Sequence, residues 1–272
     1  MQPMPQTPYW KDGHPMTDRT NSDAQMRSST YTLPALDQEF LLGDSTRGIR
    51  FMLEYMKAEE HLRNWGVRTT IVAFGSARVK EDDAGRRGHW YRSAMELGHI
   101  VSERGGALEH NDGKRDNVIA TGGGPGIMEA ANRGAIMAGA PTIGFNITLP
   151  HEQEPNAWST PDLTFNFHYF AMRKMHLAMR ANGLCVFPGG FGTMDELFEI
   201  LTLVQTNKMK KIPIVLFDRE FWTSAVNLQT FLDAGTISPG DEALFHYAET
   251  AEEAWDHLVA GGILEGVPLQ AD

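Results

Sequence analysis

Three short apolar runs each end in a turn of small residues, and this repeated unit constrains the fold more than anything else in the chain. They are TTIVAFGSA, NVIATGGGPG and LCVFPGGFGT, with turns at 74–77, 121–126 and 188–193. A continuous apolar run suits a strand covered on both faces, the pattern of a parallel sheet. Helical patterns stand between the runs. Residues 88–104 turn Met95, Leu97, His99 and Ile100 partly inward, IMEAANRGAIMAG follows GGGPG, YFAMRKMHLAMRA precedes LCVF, and DELFEILTLVQTNKM follows PGGFGT. Further strands are predicted at 141–147, 164–167 and 212–217, and further helices at 220–234 and 250–260. The alternation predicts a Rossmann-like α/β fold, a doubly wound parallel sheet with helices on both faces.

Residues 1–36 are rich in Pro, Ser, Thr and Gln without periodicity, and are expected to form a disordered or loosely packed tail. From Asp44 the pattern turns helical, with Ile49, Met52, Leu53 and Met56 on one face. Residues 37–272 are therefore expected to form a single nucleotide-binding domain. The formal charge of −11 argues against a nucleic-acid-binding surface, yet leaves room for a small anion at a helix N-terminus. No apolar run approaches membrane-spanning length, and the N-terminus lacks the apolar core of a secretory signal, so a cytoplasmic protein is expected. Cys185 is the only cysteine and reads as a small buried hydrophobe.

Ligands of open parallel sheets bind outside the carboxyl ends of the strands. Glycines there let backbone N–H groups approach an anion, and the helix that follows adds favourable potential. Tight packing would explain one such turn; three in consecutive units favour a phosphate site. TGGGPGI lacks the third glycine of the dinucleotide fingerprint, since Ile127 stands in its place, and no G-K-[ST] follows any turn. A mononucleotide is the better expectation. His110, His151, His168 and His176 show no metal-ligand spacing, so no metal and no cofactor are expected.

Arg173 and Lys174 lie near the start of a predicted helix, where positive charge is mildly unfavourable. Either an anion lies nearby or the pair belongs to a solvated face. Glu196 is also open to two readings. Thr193 and Glu196 have the T-x-x-E spacing of a capping box, and the same spacing recurs at Thr250 and Glu253 without a glycine turn. Spacing alone cannot separate a cap from an acid that stabilises an oxocarbenium-like centre or activates water.

PGGFGTMDE (188–196) resembles the P-G-G-x-G-T-x-x-E motif of the "Lonely guy" (LOG) family, with M-R-K (172–174), the FGS strand end and GGGPGIMEA (122–130) in the family's order. The resemblance covers about residues 67–236. It implies a Rossmann-like dimer, or a higher homo-oligomer as in longer members. The implied activity is hydrolysis of the N-glycosidic bond of a nucleoside 5′-monophosphate, AMP or a cytokinin riboside 5′-monophosphate, in the manner of an AMP nucleosidase.

On matching positions the resemblance makes Arg173 and Glu196 the catalytic pair. Gly75, Ser76, Gly122, Gly123, Gly124, Gly126, Gly189, Gly190, Gly192 and Thr193 become the phosphate and ribose cradle. Met128, Asn146 and Lys174 are candidates for the base side. The resemblance implies no cofactor and no metal, and the charge and hydropathy above argue for no nucleic acid and no membrane among the chain's partners. Members once carried the label of possible lysine decarboxylases, which needs a Schiff-base lysine; Lys174 is the only lysine of the motif region before 208–211. The alternative is a non-catalytic nucleotide-binding module of the same fold.

Overall fold

A computed structural model of the chain describes residues 21–108, 112–149 and 154–265 with their side chains, and the backbone alone of 10–11, 14–15 and 18–20. Two compact units are present, Met1–Leu53 and Glu54–Asp272. In the first, strands β1 (Trp10–Lys11) and β2 (His14–Pro15) pair antiparallel, followed by helices α1 (Asp18–Met26) and α2 (Gln38–Leu42). Asp37 caps α2 by accepting from Phe40 N, the usual role of an aspartate at that position. Many apolar side chains of this unit are exposed, among them Tyr31, Leu33, Leu36 and Leu42.

Helix α3 (Arg47–Asn64) opens the path to the second unit. The predicted apolar face of Ile49, Met52, Leu53 and Met56 exists on α3, and all four residues lie exposed. Buried Ala58 and Leu62 face the core instead.

The second unit is built on seven parallel strands: β3 (Thr70–Phe74), β4 (Val118–Thr121), β5 (Ile143–Ile147), β6 (Thr164–Phe167), β7 (Ala181–Val186), β8 (Ile214–Phe217) and β9 (His246–Ala248). Their order is β6-β5-β4-β3-β7-β8-β9. The chain therefore steps outward from β3 to β6, then crosses back to place β7 on the other side of β3. The three glycine turns follow β4, β3 and β7, which are neighbours at this reversal, where ligand crevices of open sheets form.

Alternate strand residues feed two cores. Val72, Phe74, Leu184 and Val186 pack under α3, α6 (Phe170–Met179), α7 (Phe191–Gln205) and α8 (Arg219–Ala225). Ile71, Ala73, Cys185 and Phe187 pack under α4 (Arg86–Arg104), α5 (Ile127–Met137) and α10 (Ala251–Ala260). Helices thus cover both faces, as the alternating pattern predicts. Cys185 is buried, and burial pushes its thiol up to about 12, in keeping with its reading as a hydrophobe.

Two local predictions need correction. The segment 220–234 is two helices, α8 and α9 (Leu228–Asp233), broken where Val226 takes an extended conformation. The edge strand β9 was not predicted, because HYA is too short and too polar to show a strand pattern.

Candidate active site

Helices α6 and α7 both begin at the carboxyl edge of the sheet, so the residues of their first two turns meet above the glycine turns. Arg173 Nη2 donates to Glu196 Oε1 at 2.8 Å, and the two side chains are only 13% and 6% exposed. Burial is the largest influence on each and works against charge. It lowers Arg173 and raises Glu196 from their usual ranges, while Arg173 and then Lys174 pull the Glu196 carboxyl back down. Arg173 Nε is buried without a hydrogen-bond partner, so the guanidinium keeps a donor in reserve.

The capping-box reading of Thr193 and Glu196 does not hold. Helix α7 begins at Phe191, with Gly190 as its N-cap and no side-chain cap. Thr193 is already the third helical residue, and its hydroxyl cannot reach the N–H groups ahead of it. The second copy does cap: Glu253 N donates to Thr250 Oγ1 at 3.1 Å, and Glu249 N donates to Glu253 Oε2 at 2.8 Å. Identical spacings therefore serve different ends, because one helix starts three residues earlier relative to its threonine.

The first turn of α7 is consequently open. The N–H groups of a first turn have no intrahelical acceptor, and they carry the positive end of the helix dipole. Thr193 leans over Gly189, where an added Cβ would lie 2.1 Å from Thr193 Oγ1. Gly190 and Gly192 differ from Gly189. Neither has a positive φ, and a Cβ on either would meet nothing within 4 Å. The fold makes no demand for glycine at these two positions, and the space beside them is open.

The GGGPG turn lies alongside. A Cβ on Gly122 would fall 2.9 Å from Met128 Sδ and 3.7 Å from Arg173 Nη2, which puts Met128 and the arginine at one spot. Gly123 has a φ of 69° and donates its N–H to Thr121 Oγ1, so it shapes the turn. Gly126 supports the turn from beneath, close against Ser76 O. The FGS turn joins the other two: Ser76 N donates to Pro188 O, and Ile127 N donates to Ser76 O. Ser76 Oγ accepts from Arg78 N, and Gly75 sits against the Ile127 side chain. Gly75 and Ser76 are thus the joint between the other two turns.

Lys174 is held at 2.8 Å by both Asp195 and Glu199, one on each side of Glu196 along α7. Burial works to lower its ammonium, but the two carboxylates outweigh it and hold Lys174 above the usual lysine range. The two cations near the start of α6 therefore already face three carboxylates of the chain. A fourth, Glu54, accepts from His168 N and Tyr169 N and closes the start of α6 itself. Asn146, the remaining base-side candidate, donates from Nδ2 to Gly123 O at 3.1 Å.

Sequence reasoning missed the polar residues under the GGGPG turn. Asn132 is fully buried in α5, and its amide ties Thr121, Thr142 and Asn156 together. A lone asparagine within the apolar pattern of IMEAANRGAIM was the available signal. His110 and His151 lie outside the described residues. Among the described residues, no three His, Cys, Asp or Glu side chains are grouped to hold a metal ion.

Known proteins resemble this chain over the region that holds the site. The model of the family described as possible lysine decarboxylase matches residues 128–258, which include both Arg173 and Glu196. The cytokinin riboside 5′-monophosphate phosphoribohydrolase LOG7 of Arabidopsis thaliana is 25% identical over 176 residues, covering 62% of this chain and 74% of that one. The chain is similar to LOG-family proteins. The probable cytokinin riboside 5′-monophosphate phosphoribohydrolase LOGL3 of Oryza sativa subsp. japonica is 33% identical over 90 residues, which is 32% of this chain and 41% of that LOG protein. Among solved structures, the molybdenum cofactor binding protein from Rippkaea orientalis aligns with 71% of this chain and 97% of its own. That alignment has 18% identity and a TM-score of 0.48.

Proposed function

We propose that this chain hydrolyses the N-glycosidic bond of a nucleoside 5′-monophosphate to free base and ribose 5-phosphate. The observation that carries the reading is the buried Arg173–Glu196 pair beside an open helix N-terminus. The phosphate binds between the first turn of α7, over Gly190 and Gly192, and the GGGPG turn alongside, with Thr193 at its edge. Glu196 stands five residues beyond Phe191, about 7.5 Å along the helix axis, a span suited to the ribose between its 5′-phosphate and C1′. The Glu196 carboxylate takes a proton from the attacking water and stabilises positive charge developing at C1′. Water oxygen bonds to C1′ as the C1′–N bond breaks, and the base leaves with that electron pair and gains a proton. Arg173 holds Glu196 in place and offers its Nε–H to the substrate's anionic group. Met128 lies on the base side.

Relatives named as cytokinin riboside 5′-monophosphate phosphoribohydrolases support an adenine-type base, either plain AMP or its N6-substituted form. A lysine decarboxylase reading is not supported by Lys174, whose two carboxylate partners favour a protonated amine over the neutral amine of a Schiff base. The test is chromatography of AMP, GMP, CMP and isopentenyl-AMP incubated with purified protein. Release of free base from at least one supports the reading, and release from none refutes it. Calorimetry that finds tight nucleotide binding without hydrolysis would favour the non-catalytic binding module instead.

A homodimer or higher homo-oligomer in the cytoplasm completes the proposal. Phe191 is 96% exposed at the mouth of the site, and Phe170 and Phe198 are exposed near it, an arrangement that favours cover by a second copy. No helix of the described residues is long and apolar enough to cross a membrane. Sedimentation of the wild type and of Phe191→Ser decides the oligomer: a monomeric wild type refutes it.

A further inference from the structure

The loop after β5 reaches back over the GGGPG turn, and one residue makes most of the contact. Asn156 N donates to Gly123 O at 2.8 Å, and Asn156 Nδ2 donates to Gly124 O at 3.0 Å. The same Nδ2 donates to Asn132 Oδ1 at 2.9 Å, while Asn156 Oδ1 accepts from Trp158 N at 3.0 Å. Beneath it the network is complete. Thr121 Oγ1 donates to Asn132 Oδ1, Asn132 Nδ2 donates to Thr142 Oγ1 and Ile143 O, and Thr142 Oγ1 donates to Ile119 O. Trp158 lies over the Arg133 guanidinium at 5.3 Å, a second anchor of the loop on α5.

This arrangement dictates which way the turn presents its peptide groups. In a trans peptide the C=O of one residue and the N–H of the next point in opposite directions. Drawing the Gly123 carbonyl toward Asn156 and Asn146 therefore turns the Gly124 N–H the other way. Gly124 is followed by Pro125, which has no N–H, so its carbonyl is a bare acceptor that would repel an anion. The Asn156 amide binds that oxygen and withdraws it.

We propose that Asn156 is a positioning residue, which holds the Gly123 and Gly124 carbonyls off the substrate so that the turn meets the anionic group with N–H donors alone. The inference rests on the phosphoribohydrolase reading for its substrate, but its binding consequence stands apart from turnover. The side-chain polar atoms of Thr121, Asn132, Thr142 and Asn156 are all hydrogen-bonded, so they fix one conformation of the turn where a softer contact would allow several.

The experiment compares wild type with Asn156→Ala, Asn156→Ser and Asn156→Asp. Ribose 5-phosphate and adenosine are titrated by calorimetry, AMP hydrolysis is followed at steady state, and a thermal melt confirms folding. Asn156→Ala removes three side-chain hydrogen bonds, one of them to the turn at Gly124 O. Loss of that one predicts ribose 5-phosphate affinity and the KM for AMP worsening by about five- to tenfold, with kcat within about threefold. Asn156→Asp, which sets a carboxylate against the Gly124 oxygen, is expected to lose more, and adenosine affinity is expected to stay the same. Unchanged ribose 5-phosphate affinity in folded variants overturns the proposal. So does an equal loss for adenosine, or a wild type that binds no ribose 5-phosphate. A wild type that binds ribose 5-phosphate yet releases no base refutes the hydrolase reading alone, and the titrations still decide Asn156.

Discussion

Lys174 Nζ lies 2.8 Å from Asp195 and, on the far side of Glu196 along the same helix, 2.8 Å from Glu199. One ammonium thus neutralises the two acids that flank the candidate catalytic acid. Both would otherwise raise the Glu196 carboxyl, which burial already holds above the usual carboxylate range. If ionised Glu196 accepts the water proton, kcat falls as pH drops through the raised value, giving an acid limb above that of an ordinary glutamate. Lys174→Met is expected to move that limb to higher pH, because it removes a cation and frees two anions. The pH profile of kcat for the two proteins checks this, and a limb that moves down or stays fixed would contradict it.

Glu196→Gln keeps the shape of the side chain and removes the base. It is expected to bind AMP within a few-fold of wild type and to lose base release by about a hundredfold or more. Calorimetry and single-turnover chromatography read the two effects separately. Comparable turnover would leave Glu196 with a structural role only.

Gly192→Ala tests the open space above α7. A Cβ there meets nothing within 4 Å, and alanine in a helix is favoured over glycine by about 0.5–1 kcal/mol, so the melting point is expected to hold or rise. Phosphate binding is expected to weaken, since the methyl group occupies the approach to the first-turn N–H groups. A variant both more stable and weaker for ribose 5-phosphate is the expected pairing. Unchanged affinity would mean that the glycine keeps room for nothing.

The sheet was legible because its strands are short, apolar and separated by helical patterns, and all six predicted strands fall in one seven-stranded parallel sheet. Arg173 and Glu196 were singled out as a catalytic pair only through the resemblance to the LOG motifs, and their 2.8 Å pairing is a tertiary contact that no spacing encodes. What failed was local. T-x-x-E at 193 and at 250 look alike in sequence, and only the true helix start separates them. The Asn132–Asn156 bond joins residues 24 apart through tertiary packing, which no local period encodes.

His176 is buried among Tyr55, Phe145 and Phe167, with neither ring nitrogen hydrogen-bonded. Burial, and then the Arg180 charge, push it down to about 4 from 6.5, against the pull of Glu59. The unfolded chain binds this proton first on acidification, so stability is full above pH 6.5 and is lost as pH falls toward 4. The loss is about 3 kcal/mol. Urea midpoints measured across that window should fall more steeply for wild type than for His176→Phe, which carries no proton. Parallel curves would show that His176 does not couple folding to pH.

Arg180 and Glu59 form the most enclosed ion pair of the second unit's α3–α6 side, with Arg180 Nη1 and Nη2 donating at 2.7 and 2.8 Å. The Arg180 hydrogen bonds, with help from Arg63 and against burial, hold the Glu59 carboxyl at about 2. A depressed carboxyl contributes its stability above pH 4.5 and loses it as pH falls toward 2. Arg180→Met leaves that carboxylate buried with Arg63 alone, and is expected to cost about 3 kcal/mol at pH 7. Adding Glu59→Gln should recover much of this, because the stranded charge is then gone. A double-mutant cycle of urea unfolding measures the recovery; strictly additive losses would show that the two side chains act independently and that packing, not the ion pair, secures this corner.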